Sequence, residues 1–352
     1  MQSSSSSLLL FILLLLFALP NALDASLVFS KEEVEACGKI RIPQMTVTPS
    51  GVLLVAQCRN ASNGGLLQDN MLFAKVVTKH SADGGKTWGD MQVLTPERGH
   101  SHGQVVYDRL RKRVLLQYQF HPHKDPELNS TLFQKISHDD GETWENLRDI
   151  TEEVSQCNPT APENMQVGTA GSKIQTSSGR IVFMGHAKGT ACRWWTDDGG
   201  ETFQTTTPYV GNEASVAEVS PGRLYMNMRG LSFAWKGNRT SFWSSDDGNT
   251  FTKPEMCPIA EDAPFGCSAG LVSDQGRLFL SEPRGPQRVG LVIHCSLDGG
   301  VTWPLNYPVG GAKDPAAYSA MRVIDNHQTL LVVYEFGSNF WAEQVPMDWC
   351  QR

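Results

Sequence analysis

Six short apolar runs recur along the chain, and they predict its main structural elements. The runs occupy residues 51–56, 113–118, 179–184, 222–227, 276–281 and 329–334. Short runs that are rich in β-branched, leucine and aromatic residues and follow a turn residue are typical of buried strands. After the N-terminal apolar block, no long segment has the 3.6-residue periodicity of an amphipathic helix. The pattern therefore predicts an all-β chain.

An eight-residue motif alternates with these runs. The pattern Ser/Thr-x-Asp-x-Gly-x-Thr-aromatic occurs at residues 81–88, 137–144, 196–203, 244–251 and 296–303. The Ser, Asp and Gly positions favour a tight turn, and the Thr and the aromatic residue favour the start of a strand. We interpret the octet as a structural hairpin turn rather than as a calcium site.

The spacing of these repeats predicts the architecture. A repeat of about 50 residues indicates a modular β fold, and six buried strands fit a six-bladed β-propeller with four-stranded blades. We expect a single propeller domain over residues 26–352. Strands from both termini complete one blade, with residues 28–37 or the segment after Tyr334 as the closing strand. We interpret the six apolar runs as the innermost strands, whose ends converge on the central axis.

Composition and the N-terminus indicate the compartment. The net charge of the 352-residue chain is −7, and no basic run is present, so nothing favours nucleic acid or an anionic membrane surface as partner. Residues 8–19 are apolar but too few to span a bilayer comfortably. They are typical of a signal-peptide core, with cleavage after Ala22 or Ala25, so residues 1–25 are predicted to be a signal peptide. A retained signal anchor is the alternative.

The cysteines and the sequons favour the same route. All eight cysteines follow the apolar block, an even number that is consistent with disulfides in an oxidising compartment. N-glycosylation acceptors occur at Asn60, Asn129 and Asn238. We expect a secreted or lumenal, lysosome-like protein without a stable membrane span. Two disulfide pairings are hypothesised, Cys257 with Cys267 and Cys37 with Cys350.

Three arginines are candidates for one binding site. Arg41 lies within an apolar run ahead of Pro43, Arg229 ends the fourth apolar run, and Arg288 follows the fifth. If they leave equivalent places in the blades, they converge on the axis. Converging guanidinium groups need an anion, and a carboxylate matches their geometry. The alternative for each arginine is an ordinary surface salt bridge.

Tyr318 and Glu213 are the candidates for covalent chemistry. A tyrosine hydroxyl is a weak nucleophile, but a carboxylate within hydrogen-bond reach can take its proton during attack. Tyr318 lies just before the sixth apolar run, and Glu213 lies upstream of the fourth. A packed aromatic is the alternative for Tyr318, and Glu218 competes with Glu213. His100 and His102 are either substrate contacts or plain surface residues.

The chain resembles the exo-α-sialidases (neuraminidases). The resemblance rests on the octets, which are the Asp boxes of that family, and on Arg-Ile-Pro at residues 41–43 and Asn-x-Arg at residues 227–229. Tyr-Ser-x-Met at residues 318–321 and Tyr-Glu at residues 334–335 follow in the family's order. The match extends from about Ile40 to Glu335.

The resemblance implies a role for each matching residue. Arg41, Arg229 and Arg288 would hold the carboxylate of a sialic acid, and Glu335 would orient Arg41. Tyr318 would be the nucleophile and Glu213 its base. Asp69, the only carboxylate between Arg41 and Asp83, would be the acid that protonates the leaving oxygen. The alternative is that Asp69 is a solvated aspartate in a loop.

The implied activity is removal of terminal sialic acids from glycoproteins, glycolipids or oligosaccharides, with no cofactor and no metal in the mechanism. Ile40 and Thr169-Ala170 depart from the common family pattern, which leaves the choice of sugar open. One rival is a glycosidase for a related acidic sugar such as Kdn or Kdo. The rival of another class is a non-catalytic Asp-box propeller that binds glycans or proteins.

Overall fold

A computed structural model describes residues 26–59, 74–95, 99–120, 130–157, 166–168, 173–187, 189–206, 209–230, 238–259, 266–285 and 287–351. Within these residues the fold is all-β, apart from two short helices. The strands form six antiparallel sheets, which are the blades of a β-propeller. The predicted fold class is confirmed. No helix in the described ranges is long and apolar enough to cross a membrane.

The chain begins with strand β1 and helix α1, followed by the first two blades. β1 is Ser26–Leu27 and α1 is Lys31–Cys37. The first blade consists of β2 (Lys39–Thr48), β3 (Gly51–Arg59), β4 (Ala74–Ser81) and β5 (Gln92–Val93). The second consists of β6 (His100–Asp108), β7 (Arg113–Phe120), β8 (Thr131–Ser137) and β9 (Glu145–Asp149), and helix α2 (Thr151–Ser155) follows it.

The remaining four blades follow in chain order. The third has β10 (Gln166–Val167), β11 (Ile174–Gln175), β12 (Ile181–Ala187), β13 (Thr190–Thr196), β14 (Gln204–Thr205) and β15 (Tyr209–Val210). The fourth has β16 (Ala214–Ser220), β17 (Arg223–Met228), β18 (Thr240–Ser244) and β19 (Glu255–Met256). The fifth has β20 (Gly270–Asp274), β21 (Arg277–Pro283), β22 (Leu291–Ser296) and β23 (Leu305–Val309). The sixth has β24 (Ser319–Ile324), β25 (Thr329–Phe336) and β26 (Asn339–Pro346), together with β1.

The innermost strands are not the six apolar runs. The strands that contact one another around the axis are β2, β6, β10 with β11, β16, β20 and β24. The apolar runs form β3, β7, β12, β17, β21 and β25, the second strand of each blade. A second strand is buried between neighbouring blades on both faces, which favours a continuous apolar run. The innermost strands carry buried polar side chains such as Gln44, Thr46 and Ser215, so their sequences are less apolar.

The octets form the turns between the third and fourth strands, which confirms the predicted hairpins. In the first octet, Ser81 Oγ donates to Asp83 Oδ1 (2.8 Å), and the amide of Gly85 donates to Ser81 Oγ (2.7 Å). The amide and the hydroxyl of Thr87 donate to the two oxygens of Asp83 (2.9 and 2.6 Å). The second octet repeats this set of bonds. The aspartate therefore organises the turn from inside.

Both termini close the ring, as predicted. β1 pairs antiparallel with β26, and Ser26 lies opposite Ala342. The closing strand is Ser26–Leu27 rather than residues 28–37, most of which form α1. A capping box explains that helix, because Ser30 Oγ accepts from the amide of Glu33, and the Glu33 carboxylate accepts from the amide of Ser30. The predicted signal peptide, residues 1–25, lies outside the described residues.

Both hypothesised cysteine pairings are wrong. The disulfides of the described residues join Cys37 to Cys58, Cys157 to Cys192 and Cys295 to Cys350. Cys257 and Cys267 are buried thiols that form no disulfide with each other. Cys257 follows the outermost strand of its blade, whereas Cys267 packs against Ile42 and Tyr318 near the axis. Closeness in sequence does not bring them together, because they lie at different distances from the axis.

Candidate active site

Tyr318 and Glu213 meet near the axis from two different blades. Tyr318 immediately precedes β24 and Glu213 immediately precedes β16, so each lies where an innermost strand begins. The Tyr318 hydroxyl donates a 2.6 Å hydrogen bond to Glu213 Oε1. The two residues are only 7% and 6% exposed. A buried phenol is therefore aligned with a carboxylate that can take its proton.

Arg229 forms hydrogen bonds with both Tyr318 and Glu213. It directly follows β17, and the antiparallel pairing of β16 with β17 places its amide on the carbonyl of Glu213 at 2.8 Å. Its Nη1 donates to Glu213 Oε2 (2.6 Å) and to the Tyr318 hydroxyl (2.9 Å). Glu218 points elsewhere, because its carboxylate accepts from Ser177 and Gly222. The structure thus places Glu213, and not Glu218, next to Tyr318.

Arg41 is held by Glu335 through two parallel hydrogen bonds. Arg41 Nε donates to Glu335 Oε1 (3.0 Å), and Nη2 donates to Oε2 (3.1 Å). The amide of Ile42 adds a third bond to Oε1 at 2.9 Å. Ile42 lies in a bulge of β2 with φ 60°, a conformation that costs energy for a β-branched residue. The bulge aims the Ile42 amide at Glu335 and so fixes the side chain of Arg41.

The three arginines surround the ring of Tyr318. Their guanidinium carbons lie 5.2 Å (Arg41), 6.0 Å (Arg229) and 5.4 Å (Arg288) from its centroid. They do not come from equivalent places in their blades. Arg41 is on an innermost strand, whereas Arg229 and Arg288 lie in loops after second strands. Arg288 is oriented by a 2.9 Å bond from Nη2 to the carbonyl of Gly266. Three cations around one phenol form a site that suits a carboxylate.

Residues 68–326 match the profile of the BNR repeat-like domain. The chain belongs to the BNR repeat-like family.

Named relatives of this BNR repeat-like protein are sialidases. The sialidase of Bacteroides fragilis (strain YCH46) is 28% identical over 335 residues, a match that covers 84% of this chain and 59% of that protein. A Hadza microbial sialidase superposes with a TM-score of 0.73 at 24% identity, over 89% of this chain and 66% of the other. The intramolecular trans-sialidase of Ruminococcus gnavus, solved with oseltamivir carboxylate, gives a TM-score of 0.72 at 16% identity, over 92% and 98%. The chain thus spans about three fifths of the length of the B. fragilis relative.

Burial and neighbouring charges set the protonation states of Tyr318 and Glu213. Burial and the neighbouring Glu213 raise the pKa of Tyr318 well above its usual value. Burial acts to raise the pKa of Glu213 as well, but Arg229 and His186 outweigh it and hold that pKa below the usual value. Near neutral pH, Tyr318 is therefore a neutral phenol and Glu213 is an ionised acceptor.

One residue at the site had no sequence signal. Cys267 packs against Tyr318 and Ile42, and burial raises the pKa of its thiol to about 12. It is thus a neutral, apolar neighbour of the phenol rather than half of a disulfide.

His102 is buried and has its Nδ1 3.1 Å from Ser101 Oγ, so it is not a surface residue. Asp69, the expected acid, lies outside the described residues.

Proposed function

We propose that the chain is a retaining exo-α-sialidase that hydrolyses terminal sialic acids from glycoconjugates. The observation that carries this proposal is the buried Tyr318–Glu213 hydrogen bond inside the ring of three arginines. A protein that only binds glycans has no need for a phenol paired with a buried carboxylate. The relatives named as sialidases support the same reaction class.

Substrate binding begins with the carboxylate of the sugar. Arg41, Arg229 and Arg288 would share this group, and each charge-assisted hydrogen bond contributes about 1.5–3 kcal/mol. Glu335 keeps Arg41 in place before the substrate arrives, which reduces the entropy lost on binding. The anomeric carbon, directly attached to that carboxylate, would then lie over the Tyr318 hydroxyl.

Tyr318 would attack the anomeric carbon in the first step. Its oxygen forms a bond to that carbon while the bond to the leaving oxygen breaks, and Glu213 takes the phenolic proton. Asp69 would protonate the leaving oxygen. A neutral nucleophile suits a carbon that bears a carboxylate, because a charged carboxylate nucleophile would be repelled there. In the second step water attacks the same carbon, with Asp69 taking its proton, while the bond from that carbon to the Tyr318 oxygen breaks and Glu213 returns the proton to Tyr318.

The compartment is part of the proposal. Three disulfides within the described residues fit an oxidising environment, and we propose a secreted or lumenal enzyme. Its partners would be sialylated glycoproteins, glycolipids or oligosaccharides.

Release of methylumbelliferone from its α-sialoside tests the proposal. We expect the purified protein to hydrolyse this substrate, and Tyr318→Phe and Arg288→Ala to lose at least 99% of the rate, about 2.7 kcal/mol of transition-state stabilisation. Tyr307→Phe is the matched control, since it removes a hydroxyl from an outer strand. The Kdn glycoside, run in parallel, decides between the two sugars. Folded protein that is silent on both substrates from acidic to neutral pH would contradict the proposal and favour the glycan-binding propeller.

A further inference from the structure

A cavity lies among the innermost strands, towards the strand ends that are opposite to the candidate active site. It has a volume of about 550 Å³ and is lined by one or more residues from the innermost strand of every blade. These include Thr46, Tyr107, Gln175, Glu218, Ser273 and Arg322. They lie late in their strands, whereas Arg41, Glu213 and Tyr318 lie at or before the start of theirs. The cavity is therefore separate from the candidate active site.

Lys173 is a buried cation in the wall of this cavity. It lines the cavity, is only 3% exposed, and its Nζ has no hydrogen-bond partner among the described residues. A buried ammonium without a partner is strongly unfavourable, so such groups are normally paired with an anion. Burial and the nearby Arg322 lower the pKa of Lys173 to about 7.

Cationic side chains outnumber carboxylates among the described residues that line the cavity. Three cationic side chains, Arg109, Lys173 and Arg322, line it among the described residues, against the single carboxylate of Glu218. That carboxylate already accepts from the amide and hydroxyl of Ser177 and from the amide of Gly222, at 2.7, 2.8 and 3.0 Å.

The cavity-wall cation Arg109 is bonded elsewhere, and the nearby carboxylate of Glu213 forms no hydrogen bond with Lys173. Arg109 Nη2 donates to the backbone carbonyls of Gln175 and Thr176, both neutral acceptors. Glu213 attracts Lys173 from the active-site side, but its oxygens are engaged by Tyr318 and Arg229. An anion in the cavity would give Lys173 Nζ the partner that it lacks among the described residues.

We propose that this cavity binds a small oxyanion, either inorganic phosphate or a phosphate group carried on a small molecule, with Lys173 as its main ligand. A polyatomic oxyanion is a strong acceptor for the N–H groups of an ammonium, which suits the unbonded Nζ of Lys173. The volume lies in the range of small-molecule sites and leaves room for a substituent on the phosphate. The proposal does not depend on the sialidase activity.

Calorimetric titration of the full chain at pH 6 tests the proposal, with sodium phosphate and glucose 6-phosphate as the two probes at constant ionic strength. We expect phosphate binding that is at least tenfold weaker in Lys173→Met, because one charge-assisted bond is lost. Lys253→Met, at an exposed position, should bind as the wild type does. Tighter binding of glucose 6-phosphate than of phosphate would assign a substituted ligand, and the reverse order would assign the free ion.

The active-site arginines also attract oxyanions, so Arg288→Ala is the deciding background. Phosphate binding that persists in Arg288→Ala and falls in Lys173→Met supports the cavity. Binding that disappears in Arg288→Ala and persists in Lys173→Met overturns the proposal, as does an absence of binding in the wild type.

Anomalous diffraction from wild-type crystals soaked in selenate avoids dependence on the folding of Lys173→Met. A peak within hydrogen-bond distance of Lys173 Nζ supports the site. Peaks confined to the outer surface or to the Tyr318 site overturn it.

Discussion

The hydroxyl of Tyr318 and the carboxylate of Glu213 are 105 residues apart in sequence and are joined by a 2.6 Å hydrogen bond. Each residue directly precedes an innermost strand, in the sixth and fourth blades. The propeller therefore brings these two groups together where their strands begin, and the fifth blade lies between the two strands. Arg229 touches both residues, so the ionised carboxylate is stabilised without removing the proton from the phenol.

Glu213→Gln should lower kcat by about 10²–10⁴-fold, because the amide cannot take the phenolic proton during attack. The measurement is the pH profile of kcat and KM on the methylumbelliferyl sialoside. Glu218→Gln is the matched control, within the strand β16 that Glu213 precedes and 5 residues further on, and should keep wild-type activity. Equal losses in both variants would mean that Glu213 acts only through the stability of β16.

Glu335→Gln should raise KM by about 10–100-fold and change kcat less. The variant keeps the shape of the side chain but removes the charge that orients Arg41, so binding of the sugar carboxylate weakens. Steady-state kinetics separate the two parameters. Glu255→Gln, an exposed residue on the outer strand β19, is the control and should change neither. A fall in kcat at unchanged KM would contradict the orienting role.

Glu343→Gln should stabilise the protein at pH 8.5 and have little effect at pH 4. Burial raises the pKa of Glu343 to about 7, so folding favours its neutral form. The stability linked to this group is complete below its unfolded pKa of about 4.3, and it is lost as the pH rises through 7. Urea denaturation across this range measures the difference. A constant difference between variant and wild type at all pH values would exclude the titration of Glu343 as its cause.

Asp139→Asn should destabilise the protein at pH 6, and the difference should shrink as the pH falls from about 4 towards 2. Hydrogen bonds from the hydroxyl and the amide of Thr143 lower the pKa of Asp139 to about 2. A lowered pKa contributes stability that is present above the unfolded pKa of about 3.9 and lost as the carboxylate is protonated in the folded state. The check is urea denaturation at several pH values, with Asp149→Asn as a control outside the octets.

The number of blades was readable from the sequence, because each blade contributes one of the six apolar runs, whereas the octets mark a turn in only five of the six blades. The distance of each strand from the central axis was not readable. A continuous apolar run shows that a strand is buried on both faces, but it does not show which neighbour lies nearer the axis. β17 and its equivalents were therefore predicted one strand too far inwards.

The site was predictable in part. Arg41, Arg229, Arg288, Tyr318 and Glu213 converge in space as the motifs predicted, and their catalytic roles stay predictions. Cys267 carries no motif, and its place beside Tyr318 depends on a loop path that local sequence does not encode. Lys173 was equally hidden, because burial of an ammonium is decided by six strands that meet from all parts of the chain.

The pairing of β1 with β26 has a consequence for the timing of biosynthesis. It completes the sixth blade, whose Glu335 binds Arg41 of the first blade, and these two residues are 294 positions apart. A ribosome releases the residues around Arg41 long before those around Glu335 exist. Until then the ring of blades is incomplete and Arg41 lacks the carboxylate that orients it. The ligand pocket is therefore assembled only after nearly the whole chain has been translated.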